Sequence, residues 1–143
     1  MGLGLEKKNS ILIQNGRVIR LNQKMNLYTL IVKPNFGCST RDIFSLVKKY
    51  SKPCYFVEKK NFFTKKNLVR SKNDLESIAF KKYPKLNKLK FFLSSLPNVI
   101  FVRMTGTGSA LVAYFNSKKS AKTASKIFRK KYKKYWFVVS KTI

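Results

Sequence analysis

Two apolar runs, Val99-Ile100-Phe101-Val102 and Leu111-Val112-Ala113-Tyr114-Phe115, stand on either side of Thr105-Gly106-Thr107-Gly108-Ser109. Runs this short, rich in β-branched and aromatic side chains, suit buried strands rather than helices, and a glycine-rich turn of this length returns the second strand against the first. The chain is thereby committed to an antiparallel sheet. What flanks the hairpin is helical. Upstream, Leu86, Leu89, Leu93 and Leu96 recur at three- and four-residue steps behind Pro84, a residue favoured in the first turn of a helix. Downstream, Ser117 can cap a helix whose Ala121, Ala124, Phe128 and Tyr132 share one face, before a closing strand over Tyr135–Val139.

The first third of the chain adds strands. Ile11 and Ile13, then Val18 and Ile19, flank Gln14-Asn15-Gly16-Arg17, and Asn-Gly is the favoured dipeptide of a tight hairpin. Leu27-Tyr28-Thr29-Leu30-Ile31-Val32 reads as a buried strand ended by Lys33-Pro34. A helix is predicted from Ser39, with Asp42 completing a capping-box-like pair and Ile43, Val47 and Tyr50 on its inner face. Residues 51–72 have no sustained period and read as a loop with mobile parts. At Asn73-Asp74-Leu75-Glu76 a further helix starts, Asn73 capping and Glu76 reaching back, with Leu75, Ile78 and Ala79 inward. From residue 27 the expected order is β-α-α-β-β-α-β, an α+β, ferredoxin-like two-layer sandwich with an extra helix, preceded by a short β-hairpin.

Composition narrows the chemistry. At 143 residues the chain fits one domain, and with 44% hydrophobic residues it can bury a core. It has no histidine and two cysteines, Cys38 and Cys54, which removes the usual zinc ligands and the commonest acid/base side chain. Its carboxylates are Glu6, Asp42, Glu58, Asp74 and Glu76. No metal site and no catalytic residue is assigned on this basis. No run approaches a membrane span of roughly 18 apolar residues, and the N-terminus has no secretory pattern, so a soluble, cytoplasmic domain without membrane contact is expected.

The net charge of +27 directs attention to polyanions. Yet lysines outnumber arginines by 26 to 6 and are spread along the chain, whereas base and bidentate phosphate recognition favour arginine. Solvated lysines therefore explain most of that charge, with non-specific polyanion binding as a by-product.

The segment Met104-Thr105-Gly106-Thr107-Gly108-Ser109-Ala110 offers glycines and hydroxyls suited to converging on an anion, but it lacks the Gly-Lys-Ser/Thr ending of a Walker loop. Alone it is a hairpin turn. Together with Lys33-Pro34-Asn35-Phe36-Gly37-Cys38-Ser39-Thr40, Asn73-Asp74-Leu75-Glu76 and Lys141-Thr142-Ile143, in that order and spacing, it resembles the C-terminal half of the 4-diphosphocytidyl-2-C-methyl-D-erythritol kinases, a family of the GHMP kinase superfamily. The likeness covers essentially the whole chain. It implies a GHMP kinase C-terminal domain over residues 27–143, with residues 1–26 a hairpin remnant of an N-terminal domain.

The resemblance further implies transfer of the ATP γ-phosphate to the 2-hydroxyl of 4-diphosphocytidyl-2-C-methyl-D-erythritol, in non-mevalonate isoprenoid biosynthesis. ATP with Mg would be held mostly by the N-terminal half, which carries the nucleotide loop and the catalytic aspartate. Gly106, Thr107, Gly108 and Ser109 are carried over as a loop lining the substrate and phosphate site. Phe44 falls where the family stacks an aromatic ring on cytosine, an interaction of ~1 to 3 kcal/mol in base-binding sites; the alternative places Phe44 in the core beside Ile43 and Val47. Asp42 and Asp74 align away from the catalytic base and have capping roles, so the chain alone is expected not to be a competent kinase. A separate N-terminal half, or self-association, is the expected partner. The competing reading is a basic nucleic-acid-binding α/β module, with Phe101 and Tyr114 stacking bases from the sheet.

Overall fold

The computed structural model describes residues 8–12, 16–52 and 64–143. Strands β1 (Asn9–Leu12) and β2 (Val18–Leu21) pair antiparallel in a two-stranded sheet, with Ile11 opposite Ile19. Gly16 takes φ +78, the left-handed conformation that glycine enters without steric cost; residues 13–15 of the expected turn lie outside the described residues. The main sheet is formed by β3 (Tyr28–Lys33), β4 (Val99–Met104), β5 (Leu111–Phe115) and β6 (Trp136–Lys141). Its spatial order is β4-β5-β3-β6, every neighbouring pair antiparallel.

One face of this sheet, carrying Leu30, Val32, Met104, Leu111, Ala113 and Phe115, is buried in a single core. Helices α4 (Pro84–Ser94) and α5 (Lys118–Lys131) pack on the sheet. The leucine stripe points inward as its spacing requires: Leu86, Leu89 and Leu93 of α4 and Leu96 just beyond its end are all buried. Helix α5 begins at Ser117, whose hydroxyl accepts the Ser120 N–H, and buries Ala121, Ala124 and Phe128.

The C-terminal Thr142 closes the fold. Its N–H and hydroxyl donate to the Leu27 carbonyl at 2.8 and 3.2 Å, and its Oγ1 accepts the Leu27 N–H at 2.9 Å. The Lys141-Thr142-Ile143 motif therefore pins the entry of β3. The adjoining Ile143 carbonyl accepts from Met25 N at 2.9 Å and from Asn9 Nδ2 at 3.3 Å, which holds the β1–β2 hairpin to the domain.

The mixed α/β architecture with an antiparallel sheet agrees with the sequence reading, but the helix count does not. Between β3 and β4 stand four helices: α1 (Thr40–Ser45), α3 (Asp74–Lys82) and α4 at the three helix starts that the sequence predicts, and one more, α2 (Lys65–Arg70). Helix α2 lies in the stretch expected to be a loop. It is capped by Thr64, whose hydroxyl accepts the Asn67 N–H at 3.2 Å, and its C-terminal carbonyls, Leu68 and Val69, receive the Arg103 guanidinium at 3.4 Å. Residues 53–63 of that stretch are outside the described set. Tyr50 is also corrected: α1 ends at Ser45, so Tyr50 cannot share the face of Ile43 and is 60% exposed.

Candidate functional site

The glycine-rich turn between β4 and β5 is built by positive φ at Gly106 (+50) and Gly108 (+89). Its base is closed by Thr105 N–H to the Ala110 carbonyl at 3.0 Å and Gly108 N–H to the Thr105 carbonyl at 2.9 Å. Ser109 is buried and donates its hydroxyl to the Phe36 carbonyl at 2.7 Å, which ties the turn to the Lys33–Thr40 segment. Thr107 Oγ1 shares a hydrogen bond of 3.0 Å with Thr40 Oγ1. Of the four loop residues carried over from the resemblance, Ser109 is thus the anchor, while Gly106 and Thr107 form the tip.

Phe44 follows Thr40 by four residues on α1, the separation that puts two side chains on one helical face. Ile43 takes the core position and is fully buried, whereas Phe44 is 49% exposed. The ring is consequently presented on the helix whose first residue contacts the glycine-rich loop. The Thr40–Thr107 contact thus joins the helix that carries Phe44 to the glycine-rich loop.

Two side chains read as caps do more than cap. Asn73 accepts the Leu75 N–H on Oδ1 at 3.0 Å, as expected, but its Nδ2 donates to the Met104 and Gly106 carbonyls at 2.9 and 2.8 Å. Glu76 does not reach back to the helix start. Its Oε1 accepts the Met104 N–H at 3.3 Å and pairs with Lys90 Nζ at 2.8 Å. The loop is therefore held from below by α3, through donors and acceptors 28 to 33 residues distant in sequence. Replacing Asn73 with alanine removes a cap and two carbonyl partners and is expected to cost about 2 kcal/mol. Asn73→Asp, which can cap but cannot donate, should recover roughly half of that in urea denaturation; identical losses in both variants would show that the loop bonds contribute and the cap does not.

At the start of α1, Ser39 Oγ accepts the Asp42 N–H at 3.2 Å, whereas Ser39's own N–H goes to the Tyr83 hydroxyl rather than closing a capping box. Asp42 turns to Lys82 at 2.6 Å. The hydrogen bond from Lys82, with help from Ser39, holds the Asp42 carboxyl below its ordinary value, and the same contact raises Lys82. The Asp42 contribution is accordingly present above the ordinary carboxylate range and fades on acidification through the lowered value. Burial pushes the Cys38 thiol up, keeping it protonated beside Gly108.

Among the described residues no three His, Cys, Asp or Glu side chains gather at one point. The described carboxylates, Asp42, Asp74 and Glu76, are engaged with Lys82, Ser51 and Lys90 respectively. The described carboxylates thus offer no grouped oxygen ligands for a magnesium ion. Phe101 and Tyr114, the rings of the nucleic-acid reading, stack on each other with centroids 4.3 Å apart, and Arg103 lies over Phe101 at 5.4 Å. One face of each ring is thereby already used. No helix among the described residues is long and apolar enough to cross a membrane.

The family pattern for the C-terminal domain of GHMP kinases matches residues 59–134, more than half of the chain. This chain belongs to the GHMP kinase C-terminal family. The match spans α2 to α5 and with them the glycine-rich loop and its Asn73 and Glu76 supports. At the level of whole proteins, a 4-diphosphocytidyl-2-C-methyl-D-erythritol kinase of Pelagibacter ubique (strain HTCC1062) is 44% identical over 141 residues, covering 99% of this chain and 50% of the relative. The kinase of the same name from Buchnera aphidicola subsp. Schizaphis graminum (strain Sg) is 35% identical over 118 residues, 80% of this chain and 36% of the relative. The chain spans about half the length, or less, of these curated relatives.

Solved structures agree on the fold. A crystal structure of 4-(cytidine 5'-diphospho)-2C-methyl-D-erythritol kinase superposes with a TM-score of 0.64 at 20% identity, over 86% of this chain and 46% of that one. The homoserine kinase from Cytophaga hutchinsonii ATCC 33406 gives 0.66 at 12% identity, over 96% and 49%. This GHMP kinase C-terminal domain is thus a kinase-family fold whose loop and Phe44-bearing helix are bridged by Thr40 and Thr107.

Proposed function

We propose that this domain is the substrate-side half of a kinase that transfers the ATP γ-phosphate to the 2-hydroxyl of 4-diphosphocytidyl-2-C-methyl-D-erythritol. The observation that carries the reading is the 44% identity to the Pelagibacter ubique kinase across 99% of this chain. The geometry supports it: the exposed Phe44 ring is available to stack on cytosine, and the loop tip at Gly106 and Thr107 stands on the helix beside it. Residues 27–143 are the C-terminal domain, and residues 1–26 belong with an N-terminal half, in keeping with the separate two-stranded sheet of β1 and β2. Phosphoryl transfer depends on positioning and charge neutralisation, so a half that holds substrate needs the other half to supply ATP with Mg and the catalytic base. Phe44, Leu46 and Tyr50, each about half exposed or more, provide apolar surface around α1 for that half, or for a second copy in its absence.

The test is phosphorylation of 4-diphosphocytidyl-2-C-methyl-D-erythritol by this chain alone and mixed with a separately expressed N-terminal half of a related kinase. Activity is expected only in the mixture. Turnover by the chain alone, or none from two folded halves, would refute the reading. In the active mixture Phe44→Ala should raise KM about tenfold with a smaller change in kcat, as loss of one stacked base requires.

A further inference from the structure

Between α2, α3 and the edge strand β4 lies a cavity of about 790 Å³. Its walls carry five cationic side chains, Lys49, Arg70, Lys72, Lys90 and Arg103, against two carboxylates, Asp74 and Glu76. Neither Phe44 nor Thr107 lines it. The charges within it are not equally available. Lys90 is paired with Glu76 at 2.8 Å, and Asp74 Oδ2 accepts the N–H and hydroxyl of Ser51, both at 2.9 Å. Arg103 spends its guanidinium on the Leu68 and Val69 carbonyls, and in doing so fixes α2 as one wall of the cavity. Lys49, Arg70 and Lys72 are left facing solvent around one concavity.

We propose that this cavity is a binding site for a small polyanion bearing a phosphate or diphosphate group, held by Lys49, Arg70 and Lys72. The general basicity of the chain does not account for it, because position matters. A concave wall with a surplus of one sign focuses the field on one point, whereas Lys119 and Lys122 of α5 line neither this cavity nor the basic concavity of about 600 Å³ formed by Lys126, Arg129, Lys130 and Lys133. The floor adds Phe80 and Val102, apolar surface that limits access of water to one side of the anion. The site is also joined to the loop. Asn73 lines the cavity and holds the Met104 and Gly106 carbonyls, so an anion bound here presses on the residue that fixes the glycine-rich turn. This inference stands on the cavity alone and is independent of the kinase reading.

The probe is inorganic pyrophosphate, titrated calorimetrically into the full chain at an ionic strength of about 0.15 M, where long-range attraction is largely screened. Saturable binding of one anion per chain is expected. Arg70→Gln combined with Lys72→Gln should weaken it by about tenfold or more, while Lys119→Gln with Lys122→Gln, which removes the same charge from α5, should change it less than about twofold. All four side chains are exposed, so both pairs keep the fold. Equal weakening by the two pairs would reduce the effect to net charge and overturn the proposal. So would the absence of saturable binding at millimolar pyrophosphate.

Discussion

Truncating Phe128 to alanine is expected to destabilise the domain by about 3 to 5 kcal/mol, the range for a fully buried aromatic side chain. The ring has no exposure and sits among Tyr132 at 5.2 Å, Phe137 at 5.6 Å and Phe92 at 6.4 Å between centroids. It is the point at which α5, α4 and β6 meet. The outer face of α5 makes this contact decisive, because Lys118, Lys122, Lys126 and Lys130 follow one another at four-residue steps and like charges at that spacing oppose the helix. The first turn of α5 has no acidic residue to offset them. Helix α5 is therefore held by its inner face. With small domains stable by only about 5 to 15 kcal/mol in total, the variant should unfold at a much lower urea midpoint and release both α5 and β6. A loss under about 1 kcal/mol would mean that the aromatic group is loosely packed and that another contact carries the helix.

Salt gives an internal check on the same argument. Added salt screens the lysine ladder but leaves burial of Phe128 unaffected, so it should stabilise the parent and the variant by similar amounts without narrowing the gap between them.

Much of this framework was legible locally. Ser39, Asn73 and Ser117 were read as helix starts from side-chain chemistry, and each accepts an N–H of its helix. The leucine stripe of α4 and the two strands around the glycine-rich turn follow from periodicity, which reports directly on which face is buried. What escaped was set by distant partners. Helix α2 has six residues, Lys65-Lys66-Asn67-Leu68-Val69-Arg70, none of them buried, so no apolar period marks it. Its place depends on Arg103, 34 and 35 residues away. The same holds for Asn73 and Glu76: a capping pattern predicts the bonds each can make to its own helix, while the second use of each side chain, gripping the loop, exists only once β4 is beside α3. Phe44 illustrates the limit differently. Adjacent Ile43 and Phe44 cannot both face the core, and the structure gives the core to Ile43.

Alanine substitutions along the glycines should separate strain from crowding and show which feature of the loop matters to the site. At Gly37 an added Cβ would meet nothing within 4 Å and the backbone is not left-handed, so Gly37→Ala should be neutral or stabilising by up to about 1 kcal/mol through the unfolded chain. At Gly106 the space is also open but φ is +50, so only the strain of a left-handed residue is added, about 1 kcal/mol. Gly108 combines both costs. With φ at +89, its Cβ would come within 3.0 Å of Met104 Sδ and 3.1 Å of Cys38 Sγ, and Met104 is fully buried and has little room to withdraw. Gly108→Ala should therefore cost about 2 to 4 kcal/mol, the sum of backbone strain and overpacking. Because the next residue, Ser109, anchors the loop on the Phe36 carbonyl, relief of that crowding has to come from displacing the loop, and with it Thr107 from Thr40. In the mixed-half kinase assay Gly108→Ala is thus expected to lose activity out of proportion to its folded fraction, whereas Gly106→Ala should keep most of it. Equal stability losses at Gly106 and Gly108 would assign the cost to φ alone and remove the packing of Met104 and Cys38 from the account of the site.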